Sequence, residues 1–181
     1  MKIRIARIDE YEVIRNFYHS LIDEMQDSPY LPGWEKDIYP TNEYLRSCIA
    51  QGEMYVGEIA AEIAAAMVIN GDCNESYAKV QWPVHAKPEE VAMIHILCVH
   101  PRHAGRGHAK QLLDWAISHA KRQGKKAIRL DVLQSNLPAE RLYRGKGFQY
   151  IDTIRMFYED TGWTDFDLYE YPLQGRCDVN S

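Results

Sequence analysis

Residues 93–110 read Met-Ile-His-Ile-Leu-Cys-Val-His-Pro-Arg-His-Ala-Gly-Arg-Gly-His-Ala-Lys. The run 94–99 is apolar and rich in β-branched residues, the composition of a buried strand. Pro101 ends it, because proline cannot donate to a strand ladder. A loop holding Gly105 and Gly107 follows. Beyond it Ala109, Leu112, Leu113, Ala116, Ile117 and Ala120 recur at the helical period and predict an amphipathic helix, with Gly124 at its C-terminal cap. This order of strand, glycine loop and helix has a chemical meaning. The first N–H groups of a helix lack internal partners and carry the positive end of its dipole. Glycines let a phosphate approach those groups, and Arg102 and Arg106 add charge beside them. The stretch suits a diphosphate. The plain alternative is a turn that only joins a strand to a helix.

The neighbouring segments extend the pattern. Upstream, residues 2–6 alternate as a first strand, and Asp9 with Glu12 resembles a capping box before a helix carrying Val13, Ile14, Phe17, Tyr18, Leu21, Ile22 and Met25. Residues 28–40 hold three prolines and a glycine and read as a loop. Tyr30, Trp34 and Tyr39 make that loop aromatic, either as packing on the core or as the lining of a pocket. Thr41 or Asn42 caps a short helix that Gly52 ends. Residues 54–59 and 62–69 read as two strands joined near Ala60 and Ala61. The connection 70–90 is long for a compact domain, and residues 77–82 within it are expected to extend the sheet. Downstream, Ile128, Leu130 and Val132 alternate with Arg129 and Asp131 as another strand. Pro138 opens a helix with Ala139, Leu142 and Tyr143 on its inner face. Strands over 148–157 and 164–171 follow.

Composition bounds the answer. At 181 residues, 46% hydrophobic and 26% charged, the chain reads as an ordinary soluble protein, one domain over 1–173 with a disordered tail over 174–181. The net charge of −5 argues against a nucleic-acid partner. No apolar run reaches the roughly 20 residues of a membrane span. The first residues enter a strand pattern rather than a signal peptide, so the expected location is cytoplasmic. Cys48, Cys73, Cys98 and Cys177 are scattered and read as reduced thiols. The histidines lack metal-ligand spacing, and no metal is inferred.

The phosphate ligand is narrowed by what is missing. The dinucleotide fingerprint needs a small residue where Lys110 stands, and the nucleotidase phosphate loop is absent. What remains, Leu97-x-Val99-x-Pro101-Arg102-x-x-Gly105-x-Gly107, resembles the acyl-CoA signature of the GNAT family of N-acetyltransferases. A second motif, Asn136-x-x-Ala139-x-x-x-Tyr143-x-x-x-Gly147-Phe148, resembles the same family and stands in the same order. The resemblance implies an α/β (α+β) fold: a mixed, mostly antiparallel twisted sheet with a splayed parallel central pair, residues 94–99 and 128–133, and flanking helices. It implies that acetyl-CoA is the cosubstrate. The pyrophosphate would lie against Arg102, Gly105, Arg106, Gly107, His108, Ala109 and Lys110. The pantetheine arm would add as a false strand along Leu97, Cys98 and Val99, and Asn136 would help hold it.

The same resemblance gives the chemistry. The amine must be neutral to attack, and the leaving thiolate benefits from a proton. Tyr143 would donate that proton. His95 stands two residues before Leu97, which in a regular strand places both on one face. It would relay the amine proton, as in arylalkylamine acetyltransferases, whose strand is similar. Glu58, Glu62 and water are the rival bases. His100 and His103 flank the loop and are read as solvent or phosphate contacts. Trp34 and Tyr39 would serve a small-molecule amine acceptor. A non-catalytic acyl-CoA sensor and a protein lysine or N-terminal acetyltransferase are the alternatives, with a monomer or homodimer expected.

Overall fold

The computed structural model describes residues 1–26, 28 and 33–173. The expected tail, 174–181, and Tyr30 lie outside these. Among the described residues seven strands form one sheet: β1 (Lys2–Ile5), β2 (Met54–Ile59), β3 (Glu62–Asn70), β4 (Val91–Val99), β5 (Ala127–Leu133), β6 (Gln149–Tyr158) and β7 (Gly162–Pro172). The order across the sheet is β1-β2-β3-β4-β5-β7-β6. Every neighbouring pair is antiparallel except β4 and β5. Among the described residues four α-helices flank it: α1 (Tyr11–Met25), α2 (Asn42–Ala50), α3 (His108–Arg122) and α4 (Leu137–Gly145).

The central strands bury both faces, the edge strands β1 and β6 do not, and side-chain alternation divides the core. Tyr55, Ala65, Met67, Ala92, Ile94, Ile128 and Leu130 meet Leu112, Leu113, Ala116 and Ile117 of α3. That stripe is the helical repeat seen in the sequence. Met54, Val56, Ala66 and Val68 face the other way, onto Ile14, Phe17, Tyr18 and Leu21 of α1 and Leu45 of α2. Thr41 caps α2 by accepting from the Tyr44 N–H at 3.0 Å. The β2–β3 turn holds Ala60 and Ala61 at φ 50° and 67°, the left-handed geometry that a two-residue hairpin requires.

Two local expectations fail for identifiable reasons. The capping interaction before α1 is made one turn earlier: Glu10 reaches back to the Arg7 N–H at 2.7 Å, and Arg4 grips its carboxylate at 2.6 Å. Asp9 and Glu12 are not the capping pair. Residues 77–82 do not extend the sheet. Glu75–Lys79 forms a single 3-10 turn, and the connection lies across β5 and β7, held by a buried ion pair. Arg129 and Glu170 meet at 2.9 Å. The same glutamate accepts from the Val84 N–H, the arginine donates to the Val84 carbonyl, and its guanidinium lies 4.2 Å from the Trp82 ring centre. Side chains thus occupy both backbone groups of Val84, and the segment before it bonds within itself, Tyr77 to Asn74 and Val80 to Tyr77, which leaves no ladder for a further strand.

Candidate active site

The sheet opens between its two parallel strands. Val91, Ala92 and Met93 pair with Ala127, Ile128 and Arg129, and no pair forms beyond them. One cause lies inside β4. His95 pairs with Val68 and Cys98 with Ala66, so Ile96 and Leu97 together oppose Met67. This is a bulge. Ile96 takes φ 42°, a conformation that a β-branched residue rarely adopts, and the Tyr18 hydroxyl holds its carbonyl at 3.1 Å. The bulge breaks the alternation. Leu97 and Val99 join the α3 side of the core, whereas Ile96 and Cys98 join the α1 side. His95 therefore does not share a face with Leu97, as a regular strand would have required. The extra residue turns it to the opposite side.

The backbone consequence matches the false-strand expectation. The His100 N–H donates to the Ala64 carbonyl at 2.9 Å. By antiparallel alternation, the N–H and C=O of Val99 point away from β3, into the gap. The open edge thus presents unpaired peptide groups where an extended amide chain could add. Cys98, the next residue in the alternation, turns its own N–H and C=O toward Ala66 of β3, and its thiol is packed toward Tyr18 and pushed up to about 12.

Below the gap, Gly107 caps α3 with φ 78° and no side-chain cap, and Gly105 takes φ 73°. A Cβ at either glycine would meet nothing within 4 Å. The backbone conformation demands glycine, and the space in front is open. Arg106 and Lys110 are exposed beside it, and His108 and Ala109 form the first turn. An anion fits this end of the helix. Arg102 is placed differently: Glu24 binds its guanidinium at 2.5 Å and 2.8 Å. His100 is buried, with Nε2 3.2 Å from the Ser20 hydroxyl, so it is not a solvent contact.

A cavity of about 110 Å³ runs through the gap and reaches both faces of the sheet. That is several times the roughly 10–15 Å³ one water needs, so it is more than a packing defect. On the α4 side it is lined by Leu97, Asn136, Ala139 and Tyr143. Asn136 caps α4 by accepting from the Ala139 N–H at 3.2 Å, which leaves its amide N–H groups for a ligand. Tyr143 is buried between Phe148 and Tyr169, and its hydroxyl has no hydrogen-bond partner among the described residues. Burial, aided by the Asp131 charge, raises its pKa, so the phenol stays protonated.

The opposite end is lined by Trp34, Tyr39, His95, Asp131, Tyr158 and Asp160. Trp34 meets Tyr18 edge-on at 5.8 Å, and Tyr39 stacks on Tyr44 at 6.2 Å. Both aromatics therefore pack on the core and line the cavity. His95 Nε2 lies 3.0 Å from the Asp72 carbonyl. A carbonyl only accepts, so Nε2 carries the proton and Nδ1 keeps its lone pair. Burial lowers the His95 pKa, which keeps the ring neutral. Glu58 and Glu62 line a separate groove beside Arg7 and Arg102, and Glu58 is bound to Arg4 at 2.5 Å. Sequence reasoning passed over Asp131 and Asp160. The first looked like an outward strand residue and the second like a turn.

The sequence pattern of the Acetyltransferase (GNAT) family matches residues 15–148, and this chain belongs to that family. An uncharacterized N-acetyltransferase of Methanocaldococcus jannaschii is 32% identical over 84 residues, covering 46% of this chain and 34% of that protein, about a third of its length. Among solved structures, a GNAT-family acetyltransferase of Streptococcus agalactiae superimposes with a TM-score of 0.78 at 19% identity, covering 94% of each chain. The Salmonella typhimurium protein yncA, solved with its cofactor acetyl-CoA, gives 0.67 at 18% identity over 100% of this chain and 98% of its own. These two share the fold.

Proposed function

We propose that the chain is an acetyl-CoA-dependent N-acetyltransferase that moves an acetyl group directly to a primary amine of a small molecule, within the cytoplasm. The observation that carries this reading is the open edge of β4, with a bare helix N-terminus at one end and the Tyr143 phenol at the other. In this reading the amine ends of the Gly105–Gly107 loop and α3 hold the pyrophosphate. The peptide groups of Leu97 and Val99 align the pantetheine arm and so fix the thioester. The neutral amine attacks the carbonyl carbon, the new C–N bond forms as the C–S bond breaks, and CoA leaves as a thiolate. Tyr143, held protonated, donates to that sulfur. His95, held neutral with Nδ1 free, accepts the proton that the amine gives up, directly or through water. Much of the acceleration comes from holding the two reactants together.

The test is thiol release from acetyl-CoA over a panel of small primary amines, with Tyr143→Phe as the comparison. Tyr143→Phe keeps the ring and its packing. Its kcat is expected to fall roughly 10²-fold or more, within the range for acid–base groups, with the acetyl-CoA KM nearly unchanged. Acetyl-CoA binding without turnover of any amine would instead mark a sensor. Full activity in Tyr143→Phe would remove the phenol from the mechanism.

A further inference from the structure

The acceptor end of the cavity holds two carboxylates and, among the described residues, no lysine or arginine to match them. Asp131 accepts the Tyr77 hydroxyl at 2.7 Å and the Tyr158 hydroxyl at 3.1 Å, both on Oδ2. Its Oδ1 accepts no hydrogen bond among the described residues. Asp160 Oδ1 is buried and likewise has no hydrogen-bond partner among them. Among the described residues no lysine or arginine lines the cavity. Leaving charged oxygens unpaired in a half-enclosed site is costly. The two hydroxyls donate to one oxygen and so aim the other. The walls beside them include the aromatic rings of Trp34, Tyr39 and Tyr158, whose faces attract cations.

We propose that the acceptor is an amine bearing a second positive charge, and that Asp131, with Asp160, selects it by binding that charge. The proposal rests on the acetyl-transfer reading. One nitrogen of such an acceptor loses its proton and attacks the thioester. The other stays an ammonium ion, takes no part in bond making, and pairs with Asp131 and Asp160 against the aromatic walls. In the reactive complex, where the attacking nitrogen has given up its proton, a monoamine leaves both carboxylates unmatched, and an amino acid brings a third carboxylate to them. Asp131 is thus a specificity-determining residue.

The experiment compares 1,4-diaminobutane, butylamine and 4-aminobutanoate as ligands by calorimetry in the presence of CoA, and as acceptors by thiol release. Wild-type protein is expected to prefer the diamine to butylamine by roughly tenfold or more in both assays, the worth of one charge-assisted hydrogen bond, and to reject 4-aminobutanoate. In Asp131→Asn the diamine-to-butylamine ratio should collapse toward one. Asp160→Asn, a turn substitution, should lower the same ratio and serves if the first variant does not fold. Equal binding of diamine and monoamine by the wild type overturns the proposal. A ratio preserved in both variants overturns it too. An equal loss of rate on all amines in Asp131→Asn would make that residue a base instead, and also counts against it. Selective diamine binding without turnover of any amine leaves charge selection standing and defeats the acetyl-transfer reading.

Discussion

Single residues at this site act through what their surroundings do to their protons. Burial holds His95 below the ordinary imidazole value of about 6.5. The sign follows directly: the ring is neutral at pH 7 and stays neutral until the pH falls through the lowered value, below which it is protonated and useless as a base. A wild-type kcat–pH profile should therefore carry an acid limb lying below 6.5. In His95→Gln that limb should vanish. The rate near neutrality should drop roughly 10²–10⁴-fold and recover partly at high pH, where free amine is abundant. Persistence of the limb in the variant would move the base elsewhere. Tyr143 and His95 could be singled out from sequence because each stands in a recognisable spacing. Asp131 could not. Its surroundings are set by Tyr77 and Tyr158, hydroxyls brought from other parts of the chain, and no local pattern announces them.

Among the elements, the loop before α3 makes the sharpest claim. Gly107→Val forces a left-handed φ on a β-branched residue at a position with open space around it. Strain alone would lower stability. Gly124→Val is a matched control, since Gly124 at the other end of α3 has φ 70° and equally open surroundings. Calorimetry should find acetyl-CoA affinity weakened roughly tenfold or more in Gly107→Val, as charge-assisted contacts to the helix end are lost, and little changed in Gly124→Val. Equal effects would mean that strain, not phosphate binding, is being measured. Periodicity located the helices and most strands because each buries a face within its own segment. It read residues 77–82 as strand where the chain makes a 3-10 turn over 75–79, a short element bonded within itself, Tyr77 N–H to the Asn74 carbonyl and Val80 N–H to the Tyr77 carbonyl, and too brief to show a period of its own. It also missed the bulge at Ile96. That residue looks like any strand isoleucine, and the shift depends on the register against β3 and on a hydroxyl from α1.

At the scale of the whole molecule, the connection over β5 and β7 is fastened by one buried pair. Glu170 is 1% exposed and Arg129 12%. Glu170→Gln keeps the shape but leaves the guanidinium uncompensated, a loss of roughly 3–5 kcal/mol. Melting should fall by roughly 6–20 °C for a chain of this size, and a fall under about 2 °C would make the pair neutral to stability. The same connection carries Tyr77 to Asp131, so the variant should also disturb the acceptor KM. The single extra residue in β4 has a consequence for traffic. It sends Leu97 and His95 to opposite faces of one strand, so under the proposed assignment donor and acceptor would approach the slit from different doors, and neither would bar the other's way. Initial-rate plots against both substrates should intersect, and product inhibition should follow the pattern of random arrival. Parallel lines would mean that the acetyl group halts on the protein between two separate visits.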